Sequence, residues 1–166
     1  MKKFIIVSDN HSEAGILYDV YTQHNDADAF FHLGDSEFEY HDTELSLYQR
    51  VKGNMDFYPE FLESDIAHFD DIHIFFTHGH LFGVNTSRAE LVNQALHHGA
   101  QIALYGHTHI AKYEKIKGVH VINPGSISQS RSNLEETYAE LKLGEENVIH
   151  FRNRNHQIIQ SIIIDE

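Results

Sequence analysis

The stretch IALYGHTHIAKY, residues 102–113, runs an apolar segment into a glycine and then sets His107 and His109 either side of Thr108. In an extended segment, residues two apart point to one face, so the two imidazoles are able to address one object. Taken alone, the pair is a polar loop in a chain with 15 histidines. The way other apolar runs end decides its meaning.

FIIVSDNH (4–11) reads as a buried strand that ends at Asp9 and His11, and AFFHLGD (29–35) as one that ends at Gly34-Asp35. RVKGNMD (50–56) ends at Gly53-Asn54, IHIFFTHGH (72–80) at His78-Gly79-His80, and VHVINPGS (119–126) in N-P-G-S. Between these runs lie helical patterns. Ser12 is placed to cap a helix whose Ile16, Leu17, Val20 and Tyr21 share a face. Tyr40–Tyr48 reads as a short helix. Ser87-Arg88-Ala89-Glu90 has capping-box spacing, opening a helix that Gly99 terminates. Hairpins are expected across Asp70-Asp71 and through Gly118, and beyond Glu136 the pattern is all strand. In α/β folds, ligands bind beyond the carboxyl ends of strands, and glycine recurs where the backbone must turn sharply or approach something closely. Polar groups gathered at so many strand ends predict one site.

A chain of 166 residues suits a single domain, 1–166, with one core. The formal net charge of −13 argues against a protein that coats nucleic acid, since counterion displacement needs a basic stripe. It leaves phosphate chemistry open, because bound cations reverse the local field. With no cysteine, metal ligands must be nitrogen or oxygen donors. Met1-Lys2-Lys3 imitates the start of a signal peptide, but the apolar run breaks at Ser8-Asp9, and no later run is able to span a bilayer. A soluble cytoplasmic protein is expected.

In order, the blocks D-N-H (9–11), G-D (34–35), G-N-M-D (53–56), H-G-H (78–80), G-H-T-H (106–109) and N-P-G-S (123–126) span most of the chain. In this the sequence resembles the calcineurin-like metallophosphoesterases, and most closely the small YfcE-type phosphodiesterases. The resemblance implies an α/β fold: a two-sheet β-sandwich flanked by helices, in four α/β/β/α layers. It implies two divalent metal ions, one held by Asp9, His11 and His109 and the other by Asn54, His78 and His107, with Asp35 bridging. Imidazole, carboxylate and amide donors without sulfur suit manganese first, with iron, zinc or nickel as alternatives. The implied function is phosphodiester hydrolysis by a hydroxide bridging two metals about 3.5–4 Å apart.

Many relatives carry histidine directly after the glycine-asparagine pair, as the acid for the leaving group. Here the position is Met55, which has no proton to give, so activated diesters and aryl phosphates should be preferred over alkyl phosphates. His80, Asn54 and His107 are the candidate catalytic residues, with His80 able to replace the missing acid. Asn123, Ser126 and Arg131 are candidate substrate contacts, Arg131 through a bidentate phosphate fork. Asp56 reads as a loop-fixing carboxylate, His32 as a core or ligand-supporting histidine, and His24, His41, His150 and His156 as solvated surface residues. The partner expected is a small phosphate ester, with neither nucleic acid nor membrane, and self-association remains open. Two other functions stay open: a phosphomonoesterase or nucleotide hydrolase on the same site, and a weakly catalytic binding scaffold like the related retromer subunit.

Overall fold

A computed structural model describes residues 1–131 and 135–165. It has two β-sheets packed face to face. The first has the order β11-β10-β9-β1-β2-β3 and the second β4-β5-β6-β8-β7. In the first, β1 (Lys2–Val7) runs parallel to β2 (Ala29–His32), which runs parallel to the short β3 (Gln49–Arg50). The chain's end returns as an antiparallel meander, β9 (Thr137–Leu143), β10 (Asn147–Asn153) and β11 (Ile158–Ile164), with β9 paired to β1. In the second, β5 (Ile72–Thr77), β6 (Ile102–Leu104) and β8 (Val119–Asn123) are parallel, and β4 (Ser64–Phe69) and β7 (Lys112–Ile116) form antiparallel edges.

Alternation along the strands makes the layers. Phe4 and Ile6 of β1 turn inward and meet Ile74, Phe76, Ile102 and Leu104 of the other sheet. Ile5 and Val7 turn outward against Ile16, Leu17 and Val20 of α1 (Ile16–Gln23). Phe75, Ala103 and Val121 face outward on the second sheet, against Leu91, Val92 and Ala95 of α2 (Ala89–His97). Each buried aliphatic or aromatic side chain contributes roughly 1.5–3 kcal/mol, so this three-interface core is the main source of stability. The order helix, sheet, sheet, helix is the four-layer α/β sandwich expected. Among the described residues, no helix is long and apolar enough to cross a membrane.

Several local expectations are corrected. Tyr40–Tyr48 is not a helix; only one 3-10 turn forms, at Leu45–Leu47. Ser12 does not cap α1, because its Oγ donates to the His11 carbonyl. The cap comes from Glu44, distant in sequence, whose carboxylate accepts the N–H groups of Gly15, Leu17 and Tyr18 at 3.0, 2.7 and 3.1 Å. A carboxylate there satisfies the orphan donors and complements the helix dipole. His24 is not solvated but only 3% exposed, with Nε2 2.7 Å from Tyr138 Oη. The capping box does not form as expected: α2 follows Arg88, Ser87 Oγ accepts the Ala89 N–H at 3.1 Å, and Glu90 accepts from Gln94 Nε2 at 3.0 Å, while Gly99 does leave α2 at φ 71°.

Glu44→Ala should lower unfolding free energy by about 1–3 kcal/mol in urea titrations, with the sheets retained. Burial, reinforced by Lys3 and opposed by Glu140, pushes the pKa of His24 down to about 4. The unfolded chain therefore binds a proton near pH 6.5 that the folded chain refuses until about pH 4. The stability His24 contributes is full above that window and lost as pH falls through it. Between pH 7 and pH 5, the wild type should lose more stability than His24→Gln; equal losses would refute the assignment.

Candidate metal centre

The strands stop earlier than their apolar runs suggest. β1 ends at Val7, β6 at Leu104 and β3 at Arg50, so the chemistry-bearing residues lie on the turns just beyond. Asp9, His11, Asp35, His107 and His109 all have left-handed backbones, with φ 59°, 43°, 57°, 71° and 62°. A non-glycine residue in this region costs about 1 kcal/mol or more, and such strain concentrates at functional sites. The conformation also corrects the reading of the first motif. His107 and His109 are not on an extended strand but on successive left-handed turns, and they serve neighbouring positions rather than the same one.

His109 faces Asp9 and His11. Its Nε2 is 3.2 Å from His11 Nε2 and 3.3 Å from Asp9 Oδ1, and His11 Nε2 is 3.7 Å from that oxygen. His107 turns the other way, its Nδ1 3.1 Å from Asn54 Oδ1 and 3.2 Å from His78 Nε2. His78 Nε2 is also 3.0 Å from Asn54 Oδ1 and 3.3 Å from Asp35 Oδ2. Asp9 Oδ1 reaches both groups, lying 3.8 Å from His78 Nε2. The structure thus brings together every residue expected to bind metal, and Asp9, as well as Asp35, stands where the two groups meet.

The outer nitrogens fix what the inner ones present. Nδ1 of His11 contacts Glu37 Oε2 at 3.0 Å, Nδ1 of His78 the Leu33 carbonyl at 2.7 Å, and Nδ1 of His109 the Gln129 carbonyl at 2.7 Å. These partners only accept, so a proton sits on each Nδ1 and each ring turns Nε2 inward, the atom that would present its lone pair to a metal. With both Nε2 atoms unprotonated, the two lone pairs 3.2 Å apart repel each other. Beside them, the fully buried Asp9 Oδ1 has no hydrogen-bond donor among the described residues. A buried acceptor surrounded by lone pairs calls for positive charge, so the donor set fits divalent cations. Burial raises the pKa of Asp9, and positive charge on His109 or His78 together with the Ser8 hydroxyl lowers it below the usual carboxylate range, so positive charge at this point is favoured.

The loops are pinned from beneath. Asp56 accepts the N–H groups of Asp35, Glu37 and Gly53 at 2.9, 2.9 and 2.7 Å, although burial raises its pKa. His32, held neutral by a burial-depressed pKa of about 4, donates from Nε2 to Asn10 Oδ1 and accepts the Gly34 N–H at Nδ1. Glycines allow the close packing. A Cβ on Gly53 would come 2.0 Å from Asp35 Oδ1, and one on Gly106 2.2 Å from Ser8 Oγ.

Two expected substrate contacts are corrected. Asn123 and Ser126 are fully buried, and their side chains are committed to the loops. Asn123 Nδ2 donates to the Gly106 carbonyl and to Thr108 Oγ1, and Oδ1 accepts from Gly125. Ser126 Oγ donates to the Asp9 carbonyl at 2.8 Å. Arg131, in contrast, lines a cleft of about 300 Å³ with His11, Asp35, Asn54, Met55, His107, His109 and Gln129. His80 is absent from that lining; its ring lies 5.4 Å from His78 and 6.1 Å from His107. The sequence reading missed Glu37 and the Leu33 and Gln129 carbonyls, which orient three histidines. Only the position of Glu37, two residues after Gly34-Asp35, offered a signal.

Gly53→Ala should leave a folded protein whose metal content, measured by plasma emission spectroscopy, falls to half or less of the wild type. Unchanged metal content would show that the Gly53 loop does not position Asp35 and Asn54.

Comparison with known proteins agrees with this arrangement. The Calcineurin-like phosphoesterase superfamily domain matches residues 1–146. The chain is 36% identical over 140 residues to "Probable metallophosphoesterase YsnB" of Bacillus subtilis, covering 84% of this chain and 83% of the relative. A crystal structure from Streptococcus pneumoniae, of a protein described as a predicted phosphoesterase, superposes with TM-score 0.92 at 32% identity, covering 98% of each chain. YfcE, a phosphoesterase from E. coli, shares the fold with TM-score 0.70 at 21% identity, covering 98% of this chain and all of its own. The chain belongs to the calcineurin-like phosphoesterase superfamily.

Proposed function

We propose that the protein is a metal-dependent phosphodiesterase acting on small phosphate esters at a two-cation site. The observation that carries this reading is the pair of donor groups meeting at Asp9 Oδ1, a buried acceptor with no donor of its own among the described residues. Asp9, His11 and His109 would hold one cation, and Asn54, His78 and His107 the other, with Asp35 between them. Manganese is the expected metal, with iron, zinc or nickel as alternatives. Two divalent ions there would supply Lewis acidity: a clamp on phosphate oxygens and an acidified water.

The chain's own residues supply the rest. A neutral Asn54, rather than a third carboxylate, leaves the centre more positive and so more receptive to an anionic ester. Arg131, on the cleft wall, offers a planar fork to phosphate oxygens. His11, His78 and His109, locked by their outer bonds, cost little reorganisation when charge develops. Met55 lines the cleft, and its backbone N–H donates to Asp35 Oδ1 at 2.9 Å, but its side chain has no proton for a departing alkoxide. His80, outside the cleft lining, is poorly placed to substitute. The chemistry therefore favours leaving groups that depart as stable anions.

With manganese-reconstituted protein, bis(p-nitrophenyl) phosphate should be hydrolysed at least about a hundredfold faster than dimethyl phosphate or other dialkyl esters. Comparable aryl and alkyl rates would contradict the role given to Met55. His107→Ala and Asp35→Asn should abolish metal-dependent hydrolysis, a loss of about 10³-fold or more, while circular dichroism stays unchanged. Metal-independent activity, or full activity in either variant, would overturn the two-cation reading. A binding scaffold would show neither hydrolysis nor stoichiometric metal.

A further inference from the structure

Beside the cleft lies a second cavity of about 410 Å³, lined by Val84, Asn85, Arg88, Tyr105, Thr108, Ile110, Lys112 and Arg131. Arg131 lines both spaces. The loop between them is the one that carries the paired histidines: Thr108 and Ile110 flank His109, and the Arg131 N–H donates to the His109 carbonyl at 2.9 Å. The two spaces therefore adjoin at Arg131 and the His109 loop.

Its charge is opposite to that of the molecule. The chain carries a formal net charge of −13, yet every charged residue lining this cavity is a cation: Arg88, Lys112 and Arg131. One carboxylate offsets them from outside the lining. Glu114 meets Arg88 Nε at 2.9 Å and lies 3.9 Å from Lys112 Nζ. Among the described residues, three lining cations less this one ion-paired carboxylate leave an excess of two positive charges. The Arg131 guanidinium makes no hydrogen bond or ion pair among the described residues. Val84, Tyr105 and Ile110 add an apolar side, so the cavity joins a cationic surface to one suited to a sugar or ring. Positive charge concentrated in a cavity of an acidic protein attracts an anionic occupant.

We propose that this cavity binds a second phosphoryl group of the substrate, held by Lys112 and Arg88, while the scissile phosphate occupies the neighbouring cleft and Arg131 stands between the two. The proposal rests on the phosphodiesterase reading and narrows it to esters that carry a second, non-scissile phosphate. Because the second phosphate does not react, it contributes binding and orientation only.

The test uses a matched pair: the p-nitrophenyl ester of thymidine 5′-phosphate, with and without a 3′-phosphate. Manganese-loaded wild type should favour the 3′-phosphorylated ester by about tenfold or more in kcat/KM. In Lys112→Gln, whose side chain is 46% exposed and tolerant of change, the preference should shrink severalfold, and in Lys112→Arg it should persist. Arg88→Gln combined with Lys112→Gln should bring it within about twofold. Equal kcat/KM for the two esters in the wild type, or an undiminished preference in the double variant, would overturn the proposal. Calorimetry with thymidine 3′,5′-bisphosphate against thymidine 5′-phosphate reads the cavity without turnover. The bisphosphate should bind about tenfold tighter in the wild type and about equally in the double variant. Tighter bisphosphate binding without hydrolysis would count against the phosphodiesterase reading alone; equal binding in the wild type would count against the second-phosphate site.

Discussion

Two imidazole Nε2 atoms face each other across 3.2 Å beside a carboxylate oxygen that no donor reaches among the described residues, and the rest of the centre is built to hold that close contact in place. Left to relax, the rings of His11 and His109 would rotate apart. They are prevented from rotating because each is bonded on its far side, to Glu37 and to the Gln129 carbonyl. Asp9 cannot swing away, because Oδ2 accepts from Ser8 Oγ at 2.5 Å and from the His107 N–H at 3.2 Å. Repulsion maintained by so many constraints is what a cation-binding centre requires before the cation arrives.

The sandwich supplies the rigidity. β1, β2, β5, β6 and β8 deliver their loops to one edge, where left-handed residues turn each chain abruptly toward its neighbours. The loops then lock onto one another through groups that do not themselves face the centre. Asp56 ties three backbone N–H groups, Asn123 ties the two turns of the histidine loop, and Ser126 ties back to Asp9. The strain stored in five left-handed residues persists because the packing beneath them over-determines their positions.

The layers were legible in the sequence because apolar alternation and helical spacing are direct consequences of burial, and the clustering of Asp, Asn and His side chains because each follows an apolar run. Directions beyond the strand ends were not legible. A period of two says which face a strand residue takes, but the left-handed turns at His107 and His109 erase that rule and send the rings to neighbouring positions. The N-P-G-S segment shows the same limit: Asn123 and Ser126 lie near the centre as expected but point into the loops. Glu44 and Glu37 were invisible for another reason. Each acts on an element some 26 to 29 residues away, a relation that no local pattern carries.

The most direct test is anomalous diffraction from crystals grown with manganese, recorded near the metal absorption edge. The account predicts two neighbouring peaks, one against Asp9, His11 and His109 and the other against Asn54, His78 and His107. No peak at the cleft, or a peak with the His11 and His109 rings turned away from it, would contradict the idea that these side chains are held against their own repulsion to receive cations.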